Sequence, residues 1–441
     1  MVVGDLATAV EVLVLGGGPG GYVAAIRAAQ LGRQVTLVTE GRPGGTCLNE
    51  GCIPAKSLLA ATEQAARIEG LAAMGVLVDG ARVDFPAMQA WKEGVADRLA
   101  GGVAQLLQSS KVEVVRGRAF FIGPRDLRVE GEHGSLRFRF LHCIIAAGAV
   151  AAPESGAISA QEALRLRQVP EAIAIDGSGY VAAELATIFA RLGSKVTVDL
   201  KGAAFLHEFD PLAGRHVQAR LKQLGVTFGP GPATAAVRVD TDGVRPNTGG
   251  LELKAAGVAV DQQGAIVVDN QQHTSAKDVY AVGDVTGGPL LATVAIAQGK
   301  VAAEALSGLK SAFAFRTVPR VAYTDPEVAQ VGIGPARANE LGLAVHVARF
   351  PFAANGRALT LNAGEGTAAL VADAESGALL GVTLVGPHVA DLIGEAALAL
   401  EMGATAEDLA LTLHPHPGLS EVLQEGAEAL LDRAIHVRKG I

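Results

Sequence analysis

At 441 residues the chain is too long for one core and divides into roughly two to four domains. Hydrophobic residues make up 49% and charged residues 19%, which is globular and far from disordered, and the net charge of −8 argues against nucleic acid or an anionic membrane as partner. Only three cysteines occur, too few for a secreted disulfide framework. The first basic residue is Arg27, so the basic start of a signal peptide is missing, and no apolar run free of Gly or charge is long enough to span a bilayer. The expected compartment is the cytoplasm.

A β-branched run predicts a strand over 10–15 that enters Gly16-Gly17-Gly18-Pro19-Gly20-Gly21. An alanine-rich helix is predicted over 22–31 and a strand over 34–39, ending at Glu40. This is a βαβ opening. Gly16, Gly18 and Gly21 fit the dinucleotide fingerprint: a tight turn, close backbone approach to a pyrophosphate, and close helix packing. Glu40, about 20 residues on, stands where a carboxylate accepts from ribose hydroxyls.

Next comes Gly44-Gly45-Thr46-Cys47-Leu48-Asn49-Glu50-Gly51-Cys52-Ile53-Pro54-Ala55-Lys56. Cys47 and Cys52 span slightly more than one helical turn, a separation that a disulfide closes if the first cysteine lies at a helix start. A helix N-terminus and the neighbouring Lys56 both favour a thiolate there. Such a pair beside a dinucleotide passes two electrons. Residues 54–72 and 86–109 read as helical, and 143–147 as a buried strand that closes at Gly148 and contains Cys143.

The pattern then repeats. A strand over 172–175, the turn Gly177-Ser178-Gly179, a helix over 180–192 and a strand over 195–199 form a second nucleotide unit, with Ala182 in place of the third glycine. Asp199 stands at or just before the place of the ribose acid and favours an unphosphorylated ribose, whereas Lys201 tolerates a 2′-phosphate; the balance favours NAD. Between 229 and 243 there is room for one strand or a hairpin, so this second unit is small. A strand over 278–282 lands on Gly283-Asp284, with a helix over 291–306 behind it.

From about residue 316 the texture changes. Strands over 368–373 and 378–385 flank Ala374-Glu375-Ser376-Gly377, a hairpin signal, and helices over 389–402 and 419–434 follow. His416 precedes Glu421 at a loop–helix junction, where a carboxylate on the far nitrogen fixes an imidazole's tautomer and raises its basicity. His414 reads as structural, and no His or Cys spacing suits a metal.

These residues together resemble the flavoprotein disulfide reductase family, and within it the members that oxidise protein-bound dihydrolipoamide. The tract from Gly44 to Lys56 carries most of the likeness, which extends through Gly283-Asp284, Tyr323-Thr324-Asp325-Pro326-Glu327 and the stretch from His416 to Glu421. The fold expected is α/β: two dinucleotide-binding, Rossmann-like domains and a C-terminal α+β dimerisation domain. The division expected is 1–148 and 249–314 for the two parts of an FAD-binding domain, 149–248 for an NAD-binding domain, and 315–441 for the interface.

The resemblance implies FAD at the first loop, with Asp284 on its ribitol, Gly148 among the residues that bind cofactor, and Lys56 near the flavin, paired with Glu184. It implies NAD at Gly177 and Gly179, Cys52 as the thiol against the flavin, and Cys47 as the thiol that exchanges with substrate. His416, held by Glu421, is implied as the base acting on the other subunit's dithiol in a homodimer. A lipoyl domain of a 2-oxoacid dehydrogenase or glycine cleavage complex is the implied partner. Leu200, Thr293, Gln298 and Val244 depart from the family pattern, standing where Glu, His, Glu and Arg are usual. A reductase using NADPH and a different disulfide, or a flavin-binding scaffold without turnover, are the other readings.

Overall fold

The structure is a computed structural model and describes residues 7–80, 82–132, 134–231 and 235–437. The expected divisions at 1–148 and 315–441 therefore extend a few residues beyond the described chain at each end. By its internal packing the chain forms two units. One comprises residues 1–54, 90–152 and 243–314, and the other residues 55–89, 153–242 and 315–441.

The first unit is built on a seven-stranded sheet. Its order is Glu113–Arg116, Val35–Thr39, Ala7–Leu15, Gly134–Ile145, Asp126–Gly131 and Arg118–Gly123, with Val279–Ala281 also paired to Gly134–Ile145. The Ala7–Leu15 strand runs parallel to Val35–Thr39 and to Gly134–Ile145, and helix Pro19–Gln30 connects the first pair. The strand expected over 143–147 is in fact twelve residues long. Its first half alternates polar and apolar residues (Leu136, Phe138 and Phe140 against Arg137 and Arg139) and pairs antiparallel with Asp126–Gly131. Only its last residues form the continuous apolar run that the sequence makes obvious, because only they are covered on both faces. Helix Ala292–Leu306 packs on Pro19–Gln30 closely enough that a Cβ on Gly299 would fall 2.4 Å from the Gly20 carbonyl oxygen.

The second unit holds two sheets. A parallel sheet has the order Thr227–Phe228, Lys195–Asp199, Ala172–Asp176, Val237–Asp240 and Ile158–Ser159, covered by helix Tyr180–Arg191. The space between 229 and 243 carries a single strand among its described residues, Val237–Asp240, so the second nucleotide unit is as small as its sequence length requires. The other sheet is antiparallel, in the order Arg320–Ala322, Glu327–Gly332, Leu379–Gly386, Thr367–Asp373 and Val345–Pro351. The 374–377 turn joins two of its strands as expected, and helices Val389–Met402 and Glu421–Leu430 pack on it around Leu370, Leu384, Ile393 and Leu423. No helix among the described residues is long and apolar enough to cross a membrane.

Candidate active site

The first glycine loop is shaped by close backbone approach. Gly16 has φ of 108° and its N–H donates to the Val38 carbonyl at 2.8 Å; a Cβ on Gly21 would lie 1.9 Å from the Gly16 carbonyl oxygen. Only glycine fits there. At Gly18, where the Pro19–Gln30 helix begins, a Cβ would make only ordinary van der Waals contact, with the Gly45 Cα at 3.9 Å, and no side chain lies as close on that side. That cradle fits a pyrophosphate.

The strand ends at Thr39, and Glu40 follows it as expected. Glu40 is exposed, one residue beyond the strand Val35–Thr39. Thr39 is the residue against the loop, its Oγ1 2.9 Å from the position of a Cβ on Gly17. The sequence drew attention to the acid, while the pairing register points the preceding hydroxyl inward.

The cysteine tract is docked on this loop. Gly44 and Gly45 have φ of 102° and 60°, and a Cβ on Gly45 would come within 2.5 Å of the Gly18 Cα, so the two glycines let the tract lie directly on the cradle. Cys47 sits in the short helix Gly45–Asn49, and Cys52 is the first residue of the long helix Cys52–Gly70. The five-residue separation is therefore not spanned by one continuous helix. The N–H groups of Glu50 and Gly51 both donate to the Thr46 carbonyl, at 2.9 and 2.8 Å, and this bend folds the start of the second helix back toward Cys47. Asn49 locks the bend from the other side, with Nδ2 donating to the carbonyls of Gly45 and Pro43 at 3.0 and 3.2 Å. The second cysteine, rather than the first, occupies the start of the long helix. Both cysteines are half-buried, whereas Cys143 is fully buried and burial pushes its thiol far up.

Asp284 lies in the turn Gly283–Thr286 after strand Val279–Ala281, and burial raises its carboxyl above the ordinary range. A carboxyl in that state suits exchange of hydrogen bonds with neutral hydroxyls. Gln298 explains one departure from the family pattern: its Oε1 accepts the Gly283 N–H at 2.7 Å and braces this turn. Gly148 has φ of 73°, and its carbonyl accepts from the Asn247 N–H at 2.9 Å.

In the second unit, Lys56 and Glu184 form the expected pair. Lys56 Nζ donates to both carboxylate oxygens, at 2.9 and 2.8 Å, and Oε1 also accepts the Tyr323 N–H at 3.0 Å. The ammonium lies 4.9 Å from the Tyr323 ring centroid and 5.8 Å from that of Tyr180. Glu184 is buried, so this charge is held in place by its partners.

The second glycine loop uses the same backbone device as the first. The Gly177 N–H donates to the Asp199 carbonyl at 2.9 Å. Asp199 Oδ1 accepts the Lys201 N–H at 2.9 Å, which fixes its side chain at the strand end. Lys201, the one candidate for a 2′-phosphate, pairs with Glu154 at 2.8 Å; that contact, with Asp176 4.0 Å away, holds its ammonium above the ordinary lysine range. Asp176 is 1% exposed and accepts from Arg238 Nε at 2.6 Å, while its Oδ1 has no hydrogen-bond partner among the described residues.

Far along the chain, His416 Nδ1 lies 2.8 Å from Glu421 Oε1, and Glu421 Oε2 accepts the Gly418 N–H at 2.8 Å. Burial alone would raise the Glu421 carboxyl, but the hydrogen bonds from Gly418 and His416 outweigh it and hold the group below the usual carboxylate range. An ionised acceptor fixes the proton of a neutral His416 on Nδ1 and leaves the Nε2 lone pair available. The His416 side chain is 80% exposed, placed to act outward. His414 is buried instead, between Glu395 and the Thr412 carbonyl, as a structural residue would be.

A dithiol docked on one dinucleotide cradle, with a second glycine loop and a carboxylate-held imidazole in the same chain, defines a nucleotide-dependent disulfide oxidoreductase. The sequence matches the family described as pyridine nucleotide-disulphide oxidoreductase over residues 10–242 and 233–299, and its dimerisation domain over 318–427. The chain belongs to this family, whose members use FAD and a nicotinamide nucleotide. It is 41% identical to a dihydrolipoyl dehydrogenase of Geobacillus stearothermophilus over 468 aligned positions, covering 99% of both chains. It is 43% identical to one of Thermus scotoductus, covering 97% of this chain and 98% of that one. Among solved structures, LpdA from Mycobacterium tuberculosis aligns with a TM-score of 0.88 at 25% identity, covering 96% of this chain and 99% of its own. The HOCl-induced flavoprotein disulfide reductase RclA from Escherichia coli aligns at 0.85 and 26%, covering 95% and 99%. The family match breaks into two pieces that overlap at 233–242, where the second nucleotide unit is short.

Proposed function

We propose that the protein is a dihydrolipoyl dehydrogenase that oxidises protein-bound dihydrolipoamide and delivers the electrons to NAD⁺. The observation that carries this is the Cys47–Cys52 tract seated on the first glycine loop, in a chain that also holds the His416–Glu421 pair. Gly16, Gly18 and Gly21, with Asp284 and Gly148, would hold FAD, and Glu40 or the adjacent Thr39 would meet its ribose. When bound, FAD supplies a two-electron relay between the dithiol and the nicotinamide. On this reading 1–148 and 249–314 form the FAD-binding domain, 149–248 the NAD-binding domain and 315–441 the interface domain of a cytoplasmic enzyme.

The chain's own residues account for the dithiol chemistry. His416 Nε2 takes a proton from one substrate thiol, working on the dithiol of the other subunit in the homodimer. The resulting thiolate attacks Cys47 Sγ; the Cys47–Cys52 bond breaks and Cys52 leaves as a thiolate. The second substrate thiol, deprotonated in turn, attacks the substrate sulfur of the mixed disulfide, releasing the cyclic disulfide product and Cys47. Two electrons now rest on the cysteine pair. At the start of helix Cys52–Gly70, Cys52 lies in the positive end of the helix dipole, which favours its anion. Glu184 holds Lys56 in a fixed position on the same helix.

NAD rather than NADP is supported by the second loop's charge. Lys201 is already neutralised by Glu154, and Asp176, Asp199 and Glu208 lie around the loop, an environment hostile to a further phosphate. The test is an anaerobic titration of the holoenzyme. Dihydrolipoamide should develop a long-wavelength thiolate-to-flavin band, and NAD⁺ but not NADP⁺ should discharge it. No response to dihydrolipoamide would overturn the assignment.

A further inference from the structure

The two glycine loops differ at their mouths. In the second unit the segment 205–209 crosses the loop and is pinned there. The Leu206 N–H donates to the Ser178 carbonyl at 2.7 Å, His207 Nδ1 lies 3.0 Å from Ser178 Oγ, and Phe205 packs edge-on against Phe228 at 5.3 Å. Arg320 Nη1 donates to the Glu208 carbonyl at 3.1 Å. So anchored, the segment lays the Glu208 carboxylate on the start of helix Tyr180–Arg191. Oε1 accepts the Tyr180 N–H at 3.2 Å and lies only 2.4 Å from the position of a Cβ on Gly179. Oε2 is buried and has no hydrogen-bond partner among the described residues; His207 Nδ1 lies 3.9 Å away. At Gly18, the matching helix start in the first unit, no carboxylate lies so close: a Cβ there would meet only the Gly45 Cα, at 3.9 Å.

The N–H groups of a first helical turn are those that a dinucleotide pyrophosphate uses. A carboxylate is the protein's own substitute for that phosphate, since it satisfies the same donor and the same dipole. Two anions do not share the site, because like charges in contact cost several kcal/mol. The exchange is nevertheless feasible: Glu208 gives up one hydrogen bond, and its orphaned oxygen regains water. With the backbone of 205–209 pinned, a side-chain rotation accomplishes it.

We propose that Glu208 sets the affinity of the second loop, its carboxylate occupying the pyrophosphate position and withdrawing whenever a nicotinamide dinucleotide binds. The inference rests on the second loop being the nucleotide site. It makes nucleotide binding in this chain a competition that the first loop does not face.

The test is calorimetric titration of the oxidised holoenzyme with ADP-ribose, which carries the pyrophosphate and undergoes no hydride transfer. Glu208→Gln and Glu208→Ala should each bind it roughly tenfold more tightly than the wild type at low salt, about 1.4 kcal/mol. That gain should shrink toward nothing between about 0.01 and 1 M NaCl, as the screening length falls from about 30 to 3 Å. A damaged fold cannot mimic tighter binding. Equal or weaker binding by both variants, with the wild type binding normally, would overturn the role of Glu208 alone. No binding of ADP-ribose or NAD⁺ by any of the three proteins, while dihydrolipoamide still reduces the flavin, would overturn it together with the nucleotide reading of the loop.

Discussion

The two glycine loops start from the same device, a strand whose following glycine N–H bonds to the carbonyl of the neighbouring strand, yet they face different surroundings. At the first, the helix start opens beside Gly45 and the cysteine tract. At the second, Glu208 lies on the helix start, Asp176 is buried just before it, and Lys201 is already paired. The difference teaches that a fingerprint specifies a backbone shape, whereas the residues that arrive from elsewhere in the chain decide how readily an anion enters it.

The largest expected effect separates the two halves outright. Cys47→Ser should abolish dihydrolipoamide oxidation while the flavin stays bound, since the cradle contact is made by Gly45 and not by the thiol. Steady-state assay together with the bound-flavin spectrum checks this, and normal turnover would refute the exchange role. His416→Gln should lower turnover by about 10²–10⁴-fold, the usual contribution of a general base. Stopped-flow reduction should place that loss in the dithiol step and leave reoxidation by NAD⁺ unchanged.

The loops themselves can be set against each other by a reciprocal pair. Gly21→Ala puts a methyl 1.9 Å from a backbone oxygen, so it should cost more than the about 1–3 kcal/mol of ordinary overpacking and reduce bound flavin per chain. Ala182→Gly, at the matching position of the second loop, should cost about 1 kcal/mol of helix propensity and a comparable amount for one buried methyl group, and leave the flavin content alone. Similar flavin loss in both would erase the distinction drawn here.

Glu184→Gln should destabilise the second unit, by less than the about 3–5 kcal/mol that breaking a fully buried pair costs, because it weakens the Lys56 pairing while Lys56 stays partly exposed; chemical denaturation measures it. The smallest effect is a pH dependence at Glu421. Its carboxyl is held low, so the stability it contributes is complete above the ordinary carboxylate range and is lost as pH falls through its depressed value. Glu421→Gln should therefore flatten the acid limb of a plot of Tm against pH, and an unchanged limb would show that the His416 and Gly418 contacts are unimportant to folding.

Most of the functional constellation was legible in the sequence because it is written in short-range signals. Glycine spacing, strand–loop–helix alternation and a cysteine pair between glycines and a proline are local patterns, and His416 lies only five residues from the carboxylate that holds it. The Lys56–Glu184 pair, 128 residues apart, was available only through family resemblance. Thr39 was missed because an exposed acid next to it matched the fingerprint better, and the amphipathic half of the Gly134–Ile145 strand because alternation without a long apolar run is a weak signal.

The sequence by itself determined the two cradles, the dithiol, the imidazole–carboxylate pair and the small size of the second nucleotide unit, since each depends on residues near one another in the chain. Only the tertiary structure decided that Lys201 is taken up by Glu154 and that Glu208 lies on the second helix start. Those outcomes depend on where separate segments of chain meet. A charge acts through distance in space, and distance in space is what a linear pattern does not contain.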